Sequence, residues 1–341
     1  MQIFKQQFNN YKKTIKDISK TYKNKFFIFG QDSIKIPFLY FFDIITKKLV
    51  DLKIEEPLRN YSGSTMINSN QFFICGGVNF DMNNITKTAK IYSIAEEKFK
   101  KLPEMHDIRF NFPVLFFKDK LIVTGGRKYG DNFVAIMKEC EYFDLKTKTW
   151  HKMGAMNIER CGHQILTYKG KVYVLGGLSE NPNVKYLEEY DFETSTWKVT
   201  DKSLMMNMYN FEIFSHDYDE VLIVGGMHFK GFANFIHSIN LRTNRVKFKG
   251  FLKQSRGNTK IFYHRDEMKL YLMGGISGHD STDPKKYVET FDLVSGESAS
   301  SNFDQKSVLK FISRYNFNRI SLHVQTEPPR KIYRKKILTQ K

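Results

Sequence analysis

The stretch "YDFETSTW", Tyr190–Trp197, combines an aromatic residue, an acid, turn-forming residues and a final tryptophan. A closely similar stretch, "FDLKTKTW", begins 47 residues earlier, at Phe143. Self-similarity of this kind indicates that one structural unit is repeated along the chain. Six segments fit the same pattern: "FDIITKKL" at 42–49, "YSIAEEKF" at 92–99, "FDLKTKTW" at 143–150, "YDFETSTW" at 190–197, "INLRTNRV" at 239–246 and "FDLVSGES" at 291–298.

A glycine doublet keeps the same period. Upstream of each segment an apolar run ends in glycine, and in five of the six units it ends in Gly-Gly. The doublets follow one another in steps of 49, 51, 49 and 49 residues, whereas the first unit has Gly30 followed by Gln31. The doublets are Gly76-Gly77, Gly125-Gly126, Gly176-Gly177, Gly225-Gly226 and Gly274-Gly275. Because two separate features share one period, the repeat is a strong signal.

Each unit predicts four short strands, which in the fourth unit are "RCGHQILTY", "KVYVLGG", "YLEEYDF" and "TWKVT". The Asp-x-x-Thr portion predicts a tight turn between the third and fourth strands, because Asp and Thr side chains cap nearby backbone N–H groups. The doublet ends the second strand, where a Cβ would clash with a neighbour or forbid a positive φ. The aromatic residue before Asp, and the residue seven places later, are expected to fill the space between sheets. That later residue is Trp150 in one unit and Trp197 in another.

A single four-stranded sheet of this size cannot bury both faces, whereas sheets stacked around an axis cover one another. The sequence therefore predicts an all-β fold with six blades. The repeat resembles the kelch repeat, which combines a glycine doublet, an aromatic-Asp pair and a tryptophan, and "RCGH" at Arg160–His163 matches the Arg-x-Gly-His start of some kelch copies. The resemblance covers about residues 25–303 and implies a six-bladed kelch-type β-propeller. In two units Ser93 and Asn240 replace the Asp of the pattern.

The two ends of the chain predict how the ring closes. The segment "RYNFNRISLHV" from Arg314 resembles the first-strand segment "RFNFPVLFF" from Arg109, yet no further unit follows it. We therefore predict a propeller over 25–324, with blade one completed by a strand at 314–324, and a basic tail at 325–341. Residues 1–24 carry apolar side chains in alternating steps of four and three, which predicts a short N-terminal α-helix that would pair as a coiled coil with another chain. The alternative is a strand at 16–22.

Composition narrows the function classes. The chain has no apolar run near 18 residues and no apolar segment typical of a secretory signal. Its three cysteines show no metal-type spacing, so we predict a cytoplasmic protein, with the nucleus as the alternative. The net charge of +18 lies mainly at the ends, with +6 in residues 1–25 and +8 in residues 304–341. These basic tails offer an alternative function, contact with nucleic acid or an anionic membrane, against a merely solubilising role.

The sequence gives little support to catalysis. The nine histidines stand singly, so we predict no catalytic residue, no metal site and no cofactor. The glycine doublets are not nucleotide-binding loops, because no helix is predicted after them. His228 and His279 both follow doublets and would meet at one rim, where solvated loop histidines are the alternative. A kelch-fold enzyme of the oxidase or isomerase type remains an alternative function.

The loops between the second and third strands differ sharply among the units, which is typical of binding surfaces on a constant scaffold. We therefore predict a non-enzymatic scaffold that binds a protein partner, as an adaptor in an assembly or in a ubiquitin-ligase complex. Arginines recur where the first strands begin, and the kelch resemblance implies that they hold an acidic peptide segment. The predicted binding residues are Arg59, Arg109, Arg160, Arg256 and Arg314. The alternative is that they form ion pairs with acids such as Asp107 or Glu159.

Overall fold

The structure is a computed structural model that describes residues 25–31, 37–43, 48–52, 58–68, 70–79, 82–129, 134–215, 217–264, 267–273, 275, 288–300 and 321–324. For the ranges before residue 58, and for 321–324, it gives strand positions and pairing only. The predicted helix at 1–24, the predicted tail at 325–341, Gly274, His279 and Arg314 lie outside the described residues. No helix of the described part is long and apolar enough to span a membrane.

The described chain consists of β-strands and one short 3-10 helix, Pro182–Lys185. Sheet one contains β1 (Lys25–Gln31), β2 (Pro37–Asp43) and β3 (Lys48–Leu52). Sheet two contains β4 (Gly63–Asn68), β5 (Gln71–Cys75), β6 (Ala89–Ser93) and β7 (Lys98–Leu102). Sheet three contains β8 (Val114–Phe117) and β9 (Lys120–Thr124), then, after a separate hairpin of β10 (Arg127–Tyr129) and β11 (Val134–Ile136), β12 (Cys140–Asp144) and β13 (Thr149–Met153).

The second half of the chain repeats this arrangement. Sheet four contains β14 (Gln164–Tyr168), β15 (Lys171–Leu175), β16 (Tyr186–Asp191) and β17 (Thr196–Ser203). Sheet five contains β18 (Glu212–Ser215) and β19 (Glu220–Val224), then, after a hairpin of β20 (Met227–His228) and β21 (Gly231–Phe232), β22 (Phe235–Asn240) and β23 (Val246–Phe251). Sheet six contains β24 (Lys260–His264), β25 (Lys269–Met273), β26 (Val288–Asp292) and β27 (Ser298–Ser300), and a last strand, β28 (Ser321–Val324), follows.

Each sheet is antiparallel and four-stranded, and five of the sheets use four strands in chain order. Sheet one instead takes β28 in the first position, where it pairs antiparallel with β1 and aligns Phe26 with Val324. β28 falls within the range 314–324 in which the sequence predicts a strand. The architecture is an all-β propeller with the four-strand repeat that the sequence predicts.

The core lies between successive sheets. Along β9, Leu121 and Val123 join a cluster with Phe73 of sheet two, while the intervening Ile122 joins a cluster with Val172 of sheet four. This division follows from the two-residue period of a strand, which sends alternate side chains to opposite faces. Fully burying one such side chain contributes about 1.5–3 kcal/mol, so sheet three stabilises both of its neighbours.

The aromatic positions of the repeat occupy the space between sheets, as predicted. The rings of Tyr190 and Trp197 lie 5.0 Å apart on the two outer strands of sheet four, in the cluster shared with sheet three. The Trp197 indole N–H also donates to the backbone oxygen of Gly154, at 2.9 Å, directly after sheet three. Trp150 makes the equivalent bond to Pro103, at 2.8 Å. The tryptophans therefore both pack and hydrogen-bond against the preceding unit.

The acidic turn of the repeat forms as predicted. Asp191 Oδ1 accepts the backbone N–H groups of Glu193 and Thr194, at 2.8 and 3.4 Å. The asparagine that replaces Asp in the fifth unit works in the same way, because Asn240 Oδ1 accepts from Arg242 and Thr243. A side-chain oxygen two residues before the N–H group is what this turn needs, and Asp and Asn both supply it.

The glycine doublets are the joints between sheets. Gly125 and Gly126 have φ angles of +55° and +101°. The Gly126 N–H donates to the backbone oxygen of Arg160 in the next unit, at 2.9 Å, and a Cβ on Gly125 would lie 2.4 Å from that same oxygen. A side chain at Gly125 would therefore separate two sheets, which confirms the predicted reason for glycine.

A chain of backbone hydrogen bonds links the starts of the first strands. In each of units two to six, the residue two places after the arginine position adopts a positive φ of 53–59°. From the third unit onward, the N–H of this residue donates to the oxygen of its counterpart in the preceding unit, at 2.7–2.9 Å. The residues in order are Tyr61, Asn111, Gly162, Asn210 and Asn258. Asn and Gly tolerate this conformation best, which explains their frequency at this position.

Candidate functional site

Three of the five arginines that we predicted to bind a partner lie inside the sheets. The side chains of Arg109 and Arg160 are 0% exposed and Arg256 is 3% exposed. A side chain with no exposed surface cannot contact a partner, so the binding role predicted for these three residues is wrong. Arg59 is half-buried, and Arg314 lies outside the described residues.

Each buried arginine pairs with a glutamate on the third strand of its own sheet. Arg109 Nη2 lies 2.9 Å from Glu141 Oε1, and Arg160 Nη2 lies 2.6 Å from Glu188 Oε1. The third pair joins Arg256 Nη2 to Glu289 Oε2, at 2.9 Å. All three glutamates are themselves buried. The ion-pair alternative is therefore correct, although the main partners differ from those we named.

The two acids named from the sequence, Asp107 and Glu159, are not the main partners of the arginines. Asp107 lies at the edge of the site, with Oδ2 3.7 Å from Arg109 Nη2. Glu159 accepts instead from the Ser179 hydroxyl, at 2.8 Å. The strand glutamates are better placed because they share the buried face with the arginine, where pairing offsets the cost of removing both charges from water.

The arginine side chain also donates a hydrogen bond to the glycine doublet of its own unit. Arg160 Nη1 donates to the backbone oxygen of Gly176, at 2.7 Å, and to that of Val184, at 3.2 Å. The backbone oxygen of Arg160 meanwhile accepts from Gly126 of the preceding unit. One residue thus connects the doublets of two successive units, and its role is structural.

The glutamate completes the site by capping the linker before the first strand. Glu188 Oε2 accepts the backbone N–H and the side-chain Nδ2 of Asn157, at 2.7 and 2.8 Å. Glu141 accepts the His106 N–H in the same way, at 2.8 Å, and Glu289 accepts that of Lys253, at 2.6 Å. These bonds tie the linker before the first strand to the third strand of the same sheet.

Among sheets two to six, two units depart from this arrangement. In sheet five the positions hold Met208 and His237, so both charges are replaced together. Burial lowers the pKa of His237 from 6.5 to about 4, which keeps the ring neutral. In sheet two the positions hold Arg59 and Lys90, so only the acid is replaced.

A sequence signal could have revealed these glutamates. Each stands three places before the Asp position of its unit, in "EYFD", "EEYD" and "ETFD". The loop before the third strand varies in length, so the spacing from the doublet hides the glutamate, whereas the spacing to the turn is constant. Aligning the units on the turn therefore places Lys90 and His237 in the glutamate column.

The loops between the second and third strands present exposed side chains. In sheet five the hairpin β20–β21 places Phe229 at its tip, with 86% of the residue exposed. The Lys230 Nζ lies 5.4 Å from the centre of that ring. In sheet three the hairpin β10–β11 carries Arg127, Lys128 and the exposed Val134. These two hairpins combine apolar and basic side chains.

The histidines and cysteines of the described part do not gather into a site. No group of three His, Cys, Asp or Glu side chains there is arranged to hold a metal ion. Cys75, Cys140 and Cys161 are free thiols, all buried, and burial raises the pKa of Cys140 to about 12. Burial lowers the pKa of His163 well below 6.5, with Arg160 and Arg109 adding to the effect. The three thiols and His163 are thus part of the interior of the sheets.

Comparison with known proteins identifies the repeat. The profile of the KLHDC2/KLHL20/DRC7 Kelch-repeats domain matches residues 64–275. Alpha-scruin of Limulus polyphemus is 27% identical over 126 residues, which cover 36% of this chain and 13% of that protein. Kelch-like protein 7 of Rattus norvegicus is 26% identical over 118 residues, which cover 35% of this chain and 20% of that protein.

A solved structure shows a similar fold. The "Structure of YjhT" superposes with a TM-score of 0.57 at 15% identity, covering 70% of this chain and 82% of that chain. At this identity the likeness concerns the fold alone. The matched part of this chain spans a fifth or less of the length of alpha-scruin and Kelch-like protein 7.

Proposed function

The chain belongs to the kelch-repeat family of β-propellers, and on that basis we propose that it is a non-enzymatic module that binds a protein partner through the loops between its second and third strands. The observation that carries this proposal is Phe229, which stands 86% exposed at the tip of a hairpin. Large aromatic side chains are the residues that most often anchor protein interfaces. A rigid sheet supports the hairpin, so little conformational entropy is lost when a partner binds.

The surroundings of Phe229 support a partner with an acidic segment. His228 and Lys230 flank the ring, and no acid stands between residues 221 and 265 of the sequence. The corresponding hairpin of sheet three, β10–β11, carries Arg127 and Lys128. A partner that offers an apolar side chain beside carboxylates would match this combination.

The test compares two exposed phenylalanines of the same sheet. Phe229→Ala removes the loop anchor, while Phe248→Ala, on the outer strand β23 where Phe248 is 59% exposed, serves as the matched control. Proteins that co-purify with each variant from the native cell are identified by mass spectrometry, and the affinity of the leading partner is then measured. We expect Phe229→Ala to lower the affinity for that partner by about tenfold or more, as for a residue that anchors an interface.

The control decides how the result is interpreted. Phe248→Ala is expected to retain the partners and the affinity of the unmodified chain. If Phe229→Ala retains every partner at unchanged affinity, the loop face is not the binding surface. Loss in both variants would point to a general effect on the fold rather than to a specific contact.

Further proposals concern the assembly around this module. We propose that it acts as an adaptor in an assembly or in a ubiquitin-ligase complex, within the cytoplasm or nucleus.

The six sheets would form one closed six-bladed ring. This proposal is supported by the pairing of β28 with β1 and by the approach of β28 to β24 and β4. Sedimentation with and without residues 1–24 tests whether the predicted helix pairs two chains. Retention on heparin with and without residues 325–341 tests anion binding by the tail.

A further inference from the structure

Three positions of the repeat meet at one buried point. In sheet four, Glu188 of the third strand accepts from Arg160 Nη2, at 2.6 Å, and from Asn157 Nδ2, at 2.8 Å. In sheet three the corresponding contact joins His106 Nδ1 to Glu141 Oε2, at 2.9 Å. The arginine position and the position three places before it therefore both direct side chains to the same residue of the third strand.

In sheet five these three positions hold Met205, Met208 and His237. The backbone keeps the arrangement of the repeat, because the Met208 oxygen accepts the Gly177 N–H at 2.7 Å, as the oxygen of Arg160 accepts from the doublet before it. The carboxylate of sheet four and its two donors are thus replaced by an imidazole and two thioethers. All three replacements occur in the same sheet.

The imidazole of His237 is buried and unpaired. The residue is 1% exposed, and neither Nδ1 nor Nε2 has a hydrogen-bond partner within the described part of the chain. Ile239, two residues further along β22, belongs to the same apolar cluster as Met208. Because residues two apart in a strand face the same side, His237 faces the side on which Met208 is buried. A buried polar atom without a partner costs free energy, which a ligand at this point would recover.

From this juxtaposition we infer that Met205, Met208 and His237 form a binding site for a soft monovalent metal ion, Cu⁺. Thioether sulfur is a soft ligand that selects Cu⁺, and imidazole also binds copper. Met205 is 51% exposed and stands on the solvent side of the site, where an ion would enter. The described part lacks metal-binding groups of three His, Cys, Asp or Glu side chains, and a site with two thioethers is not one of these. The inference does not depend on the proposed partner surface.

The first test measures ion binding by the full chain, under argon and in chloride-free buffer. The probes are Cu⁺, kept reduced by ascorbate, and Ag⁺, which has the same preference for soft ligands but does not change oxidation state. Zn²⁺ is the reference, because it takes thiolate, imidazole and carboxylate ligands rather than thioethers. We expect saturable binding of Cu⁺, measured by competition with a coloured Cu⁺ chelator, and of Ag⁺, measured by calorimetry. Failure of both ions to bind, or equal affinity for Zn²⁺, overturns the inference.

The second test removes the ligands one at a time. Met205→Leu conserves volume and should keep the fold, and His237→Leu removes the imidazole. Each should lower the affinity for Cu⁺ by about tenfold or more, because removing even a group behind a ligand costs about 10–100-fold. Met156→Leu is the matched control: Met156 is a buried methionine of the linker before sheet four, and Leu204 already holds its position in sheet five. The control should retain the affinity.

A spectroscopic readout on the unmodified chain completes the design. With methionine labelled by ¹³C in its methyl group, Ag⁺ should shift the methyl resonances of Met205 and Met208 and leave that of Met156 in place. The Leu variants assign these resonances. If the ion binds without moving the Met205 and Met208 signals, or with equal affinity in Met205→Leu and His237→Leu, the three thiols of the chain hold it instead. Either result overturns the inference.

Discussion

Sheets four and five fill the same pair of buried positions with side chains of different chemistry. Sheet four buries a charged pair, Arg160 with Glu188, and sheet five buries Met208 with His237 at the equivalent positions. Sheet four gains hydrogen bonds to the Gly176 and Val184 oxygens through its arginine, and sheet five has none of these. Burying a balanced ion pair is often close to neutral in free energy, whereas burying one charge alone is costly. Between these two sheets the pair is replaced as a unit, with both charges lost together.

The largest effect is expected at the joint between these two sheets. A Cβ on Gly176 would lie 2.7 Å from the Met208 oxygen and 2.5 Å from Phe211 Cε1, at a φ of +63°. Gly176→Val should therefore destabilise the protein by about 5 kcal/mol, through overpacking and backbone strain together. Gly170→Val is the control, since Gly170 also has a positive φ, +77°, but a Cβ there meets nothing within 4 Å. Chemical denaturation of both variants should give a clearly smaller loss for Gly170→Val.

Breaking the charged pair should cost slightly less. Arg160→Met copies sheet five at one position and leaves Glu188 buried without its cation, so we expect a loss of about 3–5 kcal/mol. The double variant Arg160→Met/Glu188→His copies both positions. A double-mutant cycle by urea denaturation should give a coupling energy of about 1–3 kcal/mol that favours the double variant. Full additivity of the two single losses would show that the pair does not act as a unit.

The neutral pair of sheet five predicts acid sensitivity. The folded-state pKa of His237 is about 4 against 6.5 for the ordinary group, so between these values the unfolded chain binds a proton that the folded chain does not. Stability should thus fall as the pH drops from 6.5 to 4, by about 1.4 kcal/mol per pH unit from this residue.

His237→Leu should remove that part of the pH dependence, as measured by urea unfolding at a series of pH values. A residual slope is expected from His163, whose pKa is also lowered. The control is His151→Gln, which removes an imidazole from the exposed side of strand β13, and the slopes of the two variants are compared. A slope that His237→Leu leaves intact would mean that the ring is protonated in the folded protein.

The smallest expected effect concerns the outer strands. Sheet four uses Trp197, whose indole donates to the Gly154 oxygen, where sheet five has Val246. Trp197→Phe keeps an aromatic ring but removes the donor, so we expect a loss of about 1–2 kcal/mol by thermal or urea unfolding. Trp150→Phe, which removes the bond to Pro103, should behave alike. A loss confined to one of the two variants would show that the bonds are not equivalent.

The features of the fold that are local and repeated could be predicted from the sequence. The Asp191 turn depends on atoms two or three residues apart, and the doublet at Gly176 and Gly177 permits the positive φ that the end of the second strand requires. For the arginines of the candidate site, the sequence offered ion pairing only as the alternative, and the acids named for it were not the strand glutamates. Arg109 and Glu141 are 32 residues apart in sequence, and nothing near either residue states that both will be buried. The exposed tip at Phe229 could also not be separated from the buried phenylalanines by composition alone.

The sequence by itself determined the repeat, the strands within each unit, the turns and the need for glycine, because each depends on short-range backbone chemistry written six times. Only the tertiary structure decided which charged side chains face inward, because burial of Arg160 depends on Glu188 and on the neighbouring sheet arriving at the same place. The energetic effect of a charged side chain follows from its neighbours in the folded protein, because solvent exposure sets the free energy of every ionised group.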